Sequence, residues 1–399
     1  MSLDIFKEKG TPVEKQLFTW RDLVRTPTSK LDDDAFTRVR IILMNGIEAD
    51  ALRTSHCMAR MLNGDFRLPL AQVRRVEQHQ QTMVNWLLPA DLSPLETTIG
   101  FEQVAIEVTA SVAQHEPDEY LAQVYRFGLL EDFDHLYRFS ALMDRMAGGD
   151  ANTIIQNYSD IMPGRPTEVE HRHPQDNLRE HYDCTQAHPL SKIHAATITA
   201  GENQTHDYYM TIGPMFADPI ARQLYAEIAS IEEQHVTQYE SLMDPNESPL
   251  EKWMLHEATE VYNYYSCMAY ETNPRIKQIW ERFCDYELGH LHMVMELFKK
   301  FDKRDPAEVL PATLPEPIVY ESHRQFVRET LNNEVDLRAA GTRFINVEDE
   351  AEQAPLSIAY REQMNSEGCP SEIVAAGYTW TPGTELTENK SAFAKGAKA

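Results

Sequence analysis

From residue 36 onward, apolar positions recur at spacings of three and four, the period of a helix that buries one face. The alternation that marks strands is nearly absent. The periodic stretches run over 36–62, 69–88, 94–114 and 118–146, and again over 190–213, 217–243, 250–272 and 275–301. Gly148 and Gly149 break the pattern between the two sets. Pro214, Pro219, Pro249 and Pro274 punctuate the second set, as helix starts and stops do. The pattern predicts an all-α fold with two sets of four helices.

The last stripe is the most regular. Ile276, Trp280, Phe283, Glu287, His290, Val294, Leu297 and Phe301 are separated by 4, 3, 4, 3, 4, 3 and 4 residues. Glu287 and His290 lie inside an otherwise apolar seam, on one helix face. A buried carboxylate needs a partner, so a Glu-x-x-His on a core stripe asks for a cation. Alone the motif is weak, because most such pairs are exposed. Three other helices strengthen it. Glu202 stands in the stripe of 190–213, and His235 stands in that of 217–243 with Glu232 three residues before it. Glu257 and Glu260 occupy core positions in 250–272. The spacings Glu202–Glu232, Glu232–Glu260 and Glu260–Glu287 are 30, 28 and 27, which places each group near mid-helix. Five carboxylates cannot be buried together unneutralised. Two divalent cations would offset most of the charge, and carboxylate and imidazole ligands suit iron or manganese.

The two sets read as a repeat. A shift of 155 residues carries Glu77 onto Glu232, Glu102 onto Glu257, Asp132 onto Glu287 and His135 onto His290, and Glu48 falls one residue from Glu202. Gln80 stands where the second set has His235, and Ala105 where it has Glu260. The first set therefore reads as a degenerate copy holding no metal or one metal weakly, with a full second dinuclear site as the alternative. Glu107, Glu131 and His79 are further local options. The domains expected are an N-terminal arm over 1–35, a degenerate bundle over 36–147, a linker over 148–189, a metal-binding bundle over 190–304, and a C-terminal extension over 305–399 with a helix near 320–340 and a mobile Lys/Ala tail.

The ligand set of the second bundle resembles the ferritin-like di-iron carboxylate superfamily, which places a Glu on each of two helices and a Glu-x-x-His on each of the other two. The Glu-x-x-Glu of the third helix resembles rubrerythrin in particular. The likeness covers roughly 190–301. It implies a ferritin-like four-helix bundle there with two iron ions, manganese being the other metal. The repeat extends the expectation to two tandem ferritin-like bundles, and the duplicated first half and the C-terminal hundred residues are not rubrerythrin features. It further implies Glu202, Glu232, His235, Glu260, Glu287 and His290 as ligands, and Glu257 as the extra carboxylate that moves with redox state. Reaction with peroxide is the activity implied. Oxygen-dependent oxidation of an organic substrate, a manganese site of catalase type, and a non-catalytic iron-binding or scaffold protein are the rivals. Rubrerythrins usually carry a rubredoxin domain with Cys-x-x-Cys pairs. This chain has none, so its electron donor is unknown.

Composition narrows the rest. The 399 residues carry 37 basic and 63 acidic side chains, a net charge of −26. That disfavours nucleic acid and anionic membranes as partners. No apolar run reaches a membrane span. The five cysteines, scattered at 57, 184, 267, 284 and 369, form no disulfide framework. A reduced, cytoplasmic protein is expected, and a homodimer is open. Tyr209 and Tyr264 are candidates to sit together beside the metals, against the plainer reading as core tyrosines. Cys267 and Cys284 read as packed thiols, and His171, His173, His181 and His188 as solvated loop residues.

Overall fold

The computed structural model describes residues 3–381. It is mostly helical. A short turn, α1 (Trp20–Leu23), precedes α2 (Ala35–Met61), α3 (Arg67–Asn85), α4 (Pro94–His115) and α5 (Glu119–Ala147). Two more turns, α6 (Asn152–Ile155) and α7 (Thr167–Glu170), interrupt the connection to α8 (Pro189–Ile212), α9 (Pro219–Glu240), α10 (Pro249–Tyr270) and α11 (Pro274–Phe301). The eight long helices match the periodic stretches to within a few residues. Their starts have local causes. Ser93, Asp218, Ser248 and Asn273 accept backbone N–H groups as N-caps, each followed by a proline whose missing N–H costs nothing there.

Consecutive helices pair: α2 with α3, α4 with α5, α8 with α9, α10 with α11. Four of them, α2, α4, α8 and α10, also pack on one another and form the middle of the molecule. Helix α10 is buried from Trp253 to Cys267 on every face, and α4 is nearly so. A helix apolar all round belongs inside. The outer helices keep one wet face, and α3 and α11 show the clearest amphipathic stripes among the eight.

Two expectations need correction. Residues 148–189 are no free linker. Asp134 of α5 accepts bonds from Gly164 N (2.9 Å), Thr167 N (2.8 Å) and Thr167 Oγ1 (2.7 Å), and Tyr182 N donates to Leu242 O (3.0 Å). The segment's polar groups satisfy buried partners, so it lies across α5 and α9. The C-terminal helix, α12 (Arg324–Glu334), stops short of 340. An antiparallel hairpin follows it, β1 (Leu337–Ala340) against β2 (Arg343–Asn346), with Ala340 opposite Arg343 and Gly341 at φ +56° in the turn. The Lys/Ala tail lies outside the described residues. Among those described, no helix is long and apolar enough to cross a membrane.

The N-terminal arm docks on α11. Gly10, at φ +61°, and Gly289 meet where any larger residue would collide. A Cβ on Gly289 would lie 2.0 Å from Thr11 O. Past this contact Gln16 donates to Thr11 O (2.7 Å) and Tyr286 O (2.9 Å). Gly289→Ala is expected to lift the arm from α11 and cost about 1–3 kcal/mol, as overpacking does. Limited proteolysis at Arg21 and Arg25, faster in the variant than in the wild type, checks it.

Candidate functional site

Two clusters of buried acidic and imidazole groups occupy the helical core. Neither is assembled from one half of the sequence. The first draws on α4, α5, α8 and α9. Ligand-type atoms of Asp132, Glu202, Glu232 and His235 lie within 4.8 Å of one another, as do those of Glu102, His135 and Glu232. Glu232 belongs to both groups, so two adjacent positions share it. The second cluster draws on α2, α3, α10 and α11. Its two groups are Glu77, Glu257 and His290, and Glu48, Glu260 and Glu287.

The structure thus divides the set expected from residues 190–301. Glu202, Glu232 and His235 stand with Glu102, Asp132 and His135. Glu257, Glu260, Glu287 and His290 stand with Glu48 and Glu77. The degenerate copy is a consequence of pairing helices by order in the sequence. When α4–α5 face α8–α9, the first cluster has a carboxylate on α8, Glu-x-x-His on α9, a carboxylate on α4 and Asp-x-x-His on α5. The substitutions by Gln80 and the Glu-x-x-Glu of α10 both fall in the second cluster.

In the first cluster His135 Nδ1 lies 3.1 Å from Glu232. His235 Nδ1 lies 3.2 Å from Glu232, 3.3 Å from Asp132 and 3.7 Å from Glu202. The two rings stack at 5.9 Å. Their outer nitrogens are backed by further carboxylates. His235 Nε2 donates to Glu131 at 2.8 Å and His135 Nε2 to Glu170 at 2.9 Å. This arrangement fixes the tautomer, so each Nδ1 can present a lone pair to the cluster. Glu131 is in turn held by Arg172 and Arg165, both from the 148–189 segment. Tyr209 donates to Glu102.

Burial sets the electrostatics. It pushes the carboxyls of Glu102, Glu202 and Asp132 up, with neighbouring carboxylates adding to the shift and the imidazoles opposing it. Glu232 goes the other way: burial opposes its ionisation, but bonds to His135 and His235 outweigh it and hold the carboxyl low. Both imidazoles are raised despite burial, His135 by Glu170 and Glu232, His235 by Asp132, Glu131 and Glu202. Asp132 has both oxygens without a hydrogen-bond partner, and Glu102 Oε2 and Glu202 Oε2 are also unpartnered. Buried acceptors left unpaired are costly. The residues therefore fit a dinuclear cation site. Four carboxylates would be neutralised by two divalent ions, with one imidazole for each.

In the second cluster His290 Nδ1 lies 2.7 Å from Glu287 and 3.6 Å from Glu257, while Nε2 donates to the neutral Gln16 amide oxygen at 2.7 Å. Tyr264 donates to Glu48, and Trp253 Nε1 to Glu257 at 2.6 Å. Tyr209 and Tyr264 therefore serve separate clusters rather than sitting together. Burial raises Glu48, Glu257 and Glu260, and brings Glu77 to about 8.

The lesser candidates have local duties. Glu107 accepts from Ser159 Oγ (2.7 Å) and His323 Nδ1 (2.9 Å), away from both clusters. His79 packs against Phe18. His171 lies 3.4 Å from Glu227, His173 and His188 cap helical turns, and His181 bonds Tyr182 O. Only His171 of the four is buried. Cys267 and Cys284 are packed thiols, pushed up by burial to about 12. Glu170, Arg165, Arg172 and Gln16 lie outside the helical stripes, so periodicity carried no sign of them. No protein-family model, curated protein or solved structure matches this chain.

Proposed function

We propose that this protein is a dinuclear-metal oxidoreductase, di-iron with manganese as the other metal its ligands admit, that reacts with peroxide or dioxygen at the first cluster. The finer fold reading goes with it: two ferritin-like four-helix units, each made of one helix pair from either half of the chain. The observation that carries the function is the complete six-residue set Glu102, Asp132, His135, Glu202, Glu232 and His235, with Glu232 common to both positions. Bound iron would supply the electrons for reducing an O–O bond. The chain's own part is placement. Glu131 and Glu170 orient the two imidazoles, and Tyr209 is hydrogen-bonded to Glu102 and can deliver a proton there. All six ligand residues are buried, which keeps bulk water away.

Size supports a small oxidant. A cavity of about 20 Å³ between α2, α4 and α8, lined by Val104, Ala105, Ile198 and Gly201, reaches Glu202. That is room for little more than a water-sized molecule beside Glu202, a scale nearer to peroxide or dioxygen than to a bulky organic substrate.

The test is oxidation of the iron-loaded, anaerobically reduced protein. Absorbance of the ferric form is followed after mixing with peroxide or dioxygen. Oxidation within seconds to minutes is expected. His235→Ala removes a ligand and should weaken iron binding at that position at least about tenfold, the scale on which even outer-shell losses act. Wild-type iron that stays reduced for hours in both oxidants would remove the oxidoreductase reading and leave a structural metal.

A further inference from the structure

The second cluster differs from the first in ways that ligand chemistry can interpret. One of its positions, Glu77, Glu257 and His290, includes an imidazole. The other, Glu48, Glu260 and Glu287, offers oxygen alone. Where the first cluster has His235 on α9, the second has Gln80 on α3, 155 residues earlier. Gln80 is fully buried. Its Nε2 donates to Glu48 Oε1 at 3.1 Å and to Glu287, and its Oε1 has no partner. Half a turn of the amide exchanges the two atoms and directs a neutral oxygen at the same carboxylates.

Acidic residues by themselves make no site. Here, however, both oxygens of Glu260 lack any hydrogen-bond partner, and the residue is 0% exposed. Glu48 Oε2, Glu77 Oε2 and Glu257 Oε2 are also unpartnered in the same interior. These acceptors converge on the two positions with no protein donor to satisfy them. The cluster also carries five carboxylates to the first cluster's four, and one imidazole to its two.

We infer that the second cluster is a metal centre of its own, unlike the first: a transition-metal position at Glu77, Glu257 and His290 beside an all-oxygen position at Glu48, Glu260 and Glu287, with Gln80 as its neutral oxygen ligand, that takes a hard divalent ion of the manganese, magnesium and calcium class. Nitrogen ligands favour the later transition metals, whereas carboxylate and amide oxygens suit the hard ions. Exchanging His for Gln removes the nitrogen that would draw iron or zinc into that position. The centre shares no ligand with the first cluster, so it can be present whether or not the first cluster reacts with peroxide or dioxygen.

Metal counting on the full chain tests this without any activity measurement. Metal-free protein is titrated with Mn²⁺ alone while the free-ion electron paramagnetic resonance signal is followed, and metals in the protein as isolated are counted by mass spectrometry. With all positions filled, the chain should hold about four ions, two per centre. The His135→Ala/His235→Ala double variant should still bind Mn²⁺ tightly through the second cluster. Glu260→Gln, made in that double variant, should weaken this binding at least about tenfold. Gln80→His should raise the iron-to-manganese ratio of the isolated protein about tenfold, since it restores the imidazole. Circular dichroism verifies that each variant is folded, and Gln80→His decides the matter if Glu260→Gln is not. A double variant without tight Mn²⁺ binding would overturn the inference, as would a Gln80→His protein with unchanged metal preference.

Discussion

Stripped of metal, the protein will lose stability as the pH rises from about 5.5 to 8. Burial raises the carboxyls of Glu48, Glu102, Asp132, Glu202, Glu257 and Glu260, and sets Glu77 and Glu170 at about 8. An acid whose folded value is raised keeps its proton in the native state while the unfolded chain has already released it. Stability then falls with each pH unit above the unfolded value, by about 1.4 kcal/mol per group, until the folded value is passed. His135, His235 and His290 act in the same direction. Their raised values stabilise the fold below the unfolded value of 6.5, and that contribution fades as the pH climbs through the folded value. Glu131 and Glu232, held low, lose their contribution only at more acidic pH. The groups of each cluster titrate together, so these losses do not add, and the net loss is on the order of several kcal/mol, or a drop of roughly 5–10 °C in Tm. On the proposed reading, cations would replace the protons in the loaded protein, and their affinity would grow as the pH rises. Thermal melts of chelator-treated and reloaded protein between pH 5.5 and 8 should therefore diverge. A metal-free Tm that is flat or rises over this range would mean the clusters carry compensation of another kind.

Glu131→Ala will be among the most damaging single substitutions outside the ligand sets. Glu131 is 0% exposed and accepts from Arg172 Nη2 at 3.1 Å, Arg165 Nη1 at 3.3 Å and His235 Nε2 at 2.8 Å. Both guanidiniums are buried, and burial already lowers Arg165 to about 10. Removing the shared anion strands two buried cations, which costs about 3–5 kcal/mol. It also frees the His235 ring, weakening metal binding at that position by about 10–100-fold. Glu131→Gln keeps an acceptor of the same shape and should recover part of both losses. Denaturant unfolding and metal titration of the two variants check this. Equal stability of Glu131→Ala and wild type would show that the arginines find other partners.

Much of this was legible in the chain, but the assembly was not. Apolar periodicity and capping residues located the helices, because both signals are local. The acidic and imidazole residues of both clusters were also visible, since a Glu or His on a core stripe is conspicuous. Which helix pair faces which is a non-local fact. Glu232 stands near mid-helix whether its neighbour is Asp132 or Glu287, and a spacing of 27–30 residues suits either pairing. The overlooked signal lay in α4 and α10, whose apolar residues run round the whole helix. Such helices must be flanked on several sides, which marks them as central. Glu131 and Glu170 were harder to see. Glu131 adjoins Asp132 of the first cluster, and Glu170 lies in a proline-rich stretch whose folding depends on the groups it covers.

The helix pairing is also the point most directly open to measurement. Crystals of the iron-loaded protein, with anomalous diffraction recorded at the iron edge, would locate each ion among its ligands. A pair of ions flanking Glu232 is expected, with His135 on one and His235 on the other, and no ion shared between His235 and His290. Iron bound jointly by His235 and His290, or Glu232 and Glu102 found without a metal between them, would contradict it.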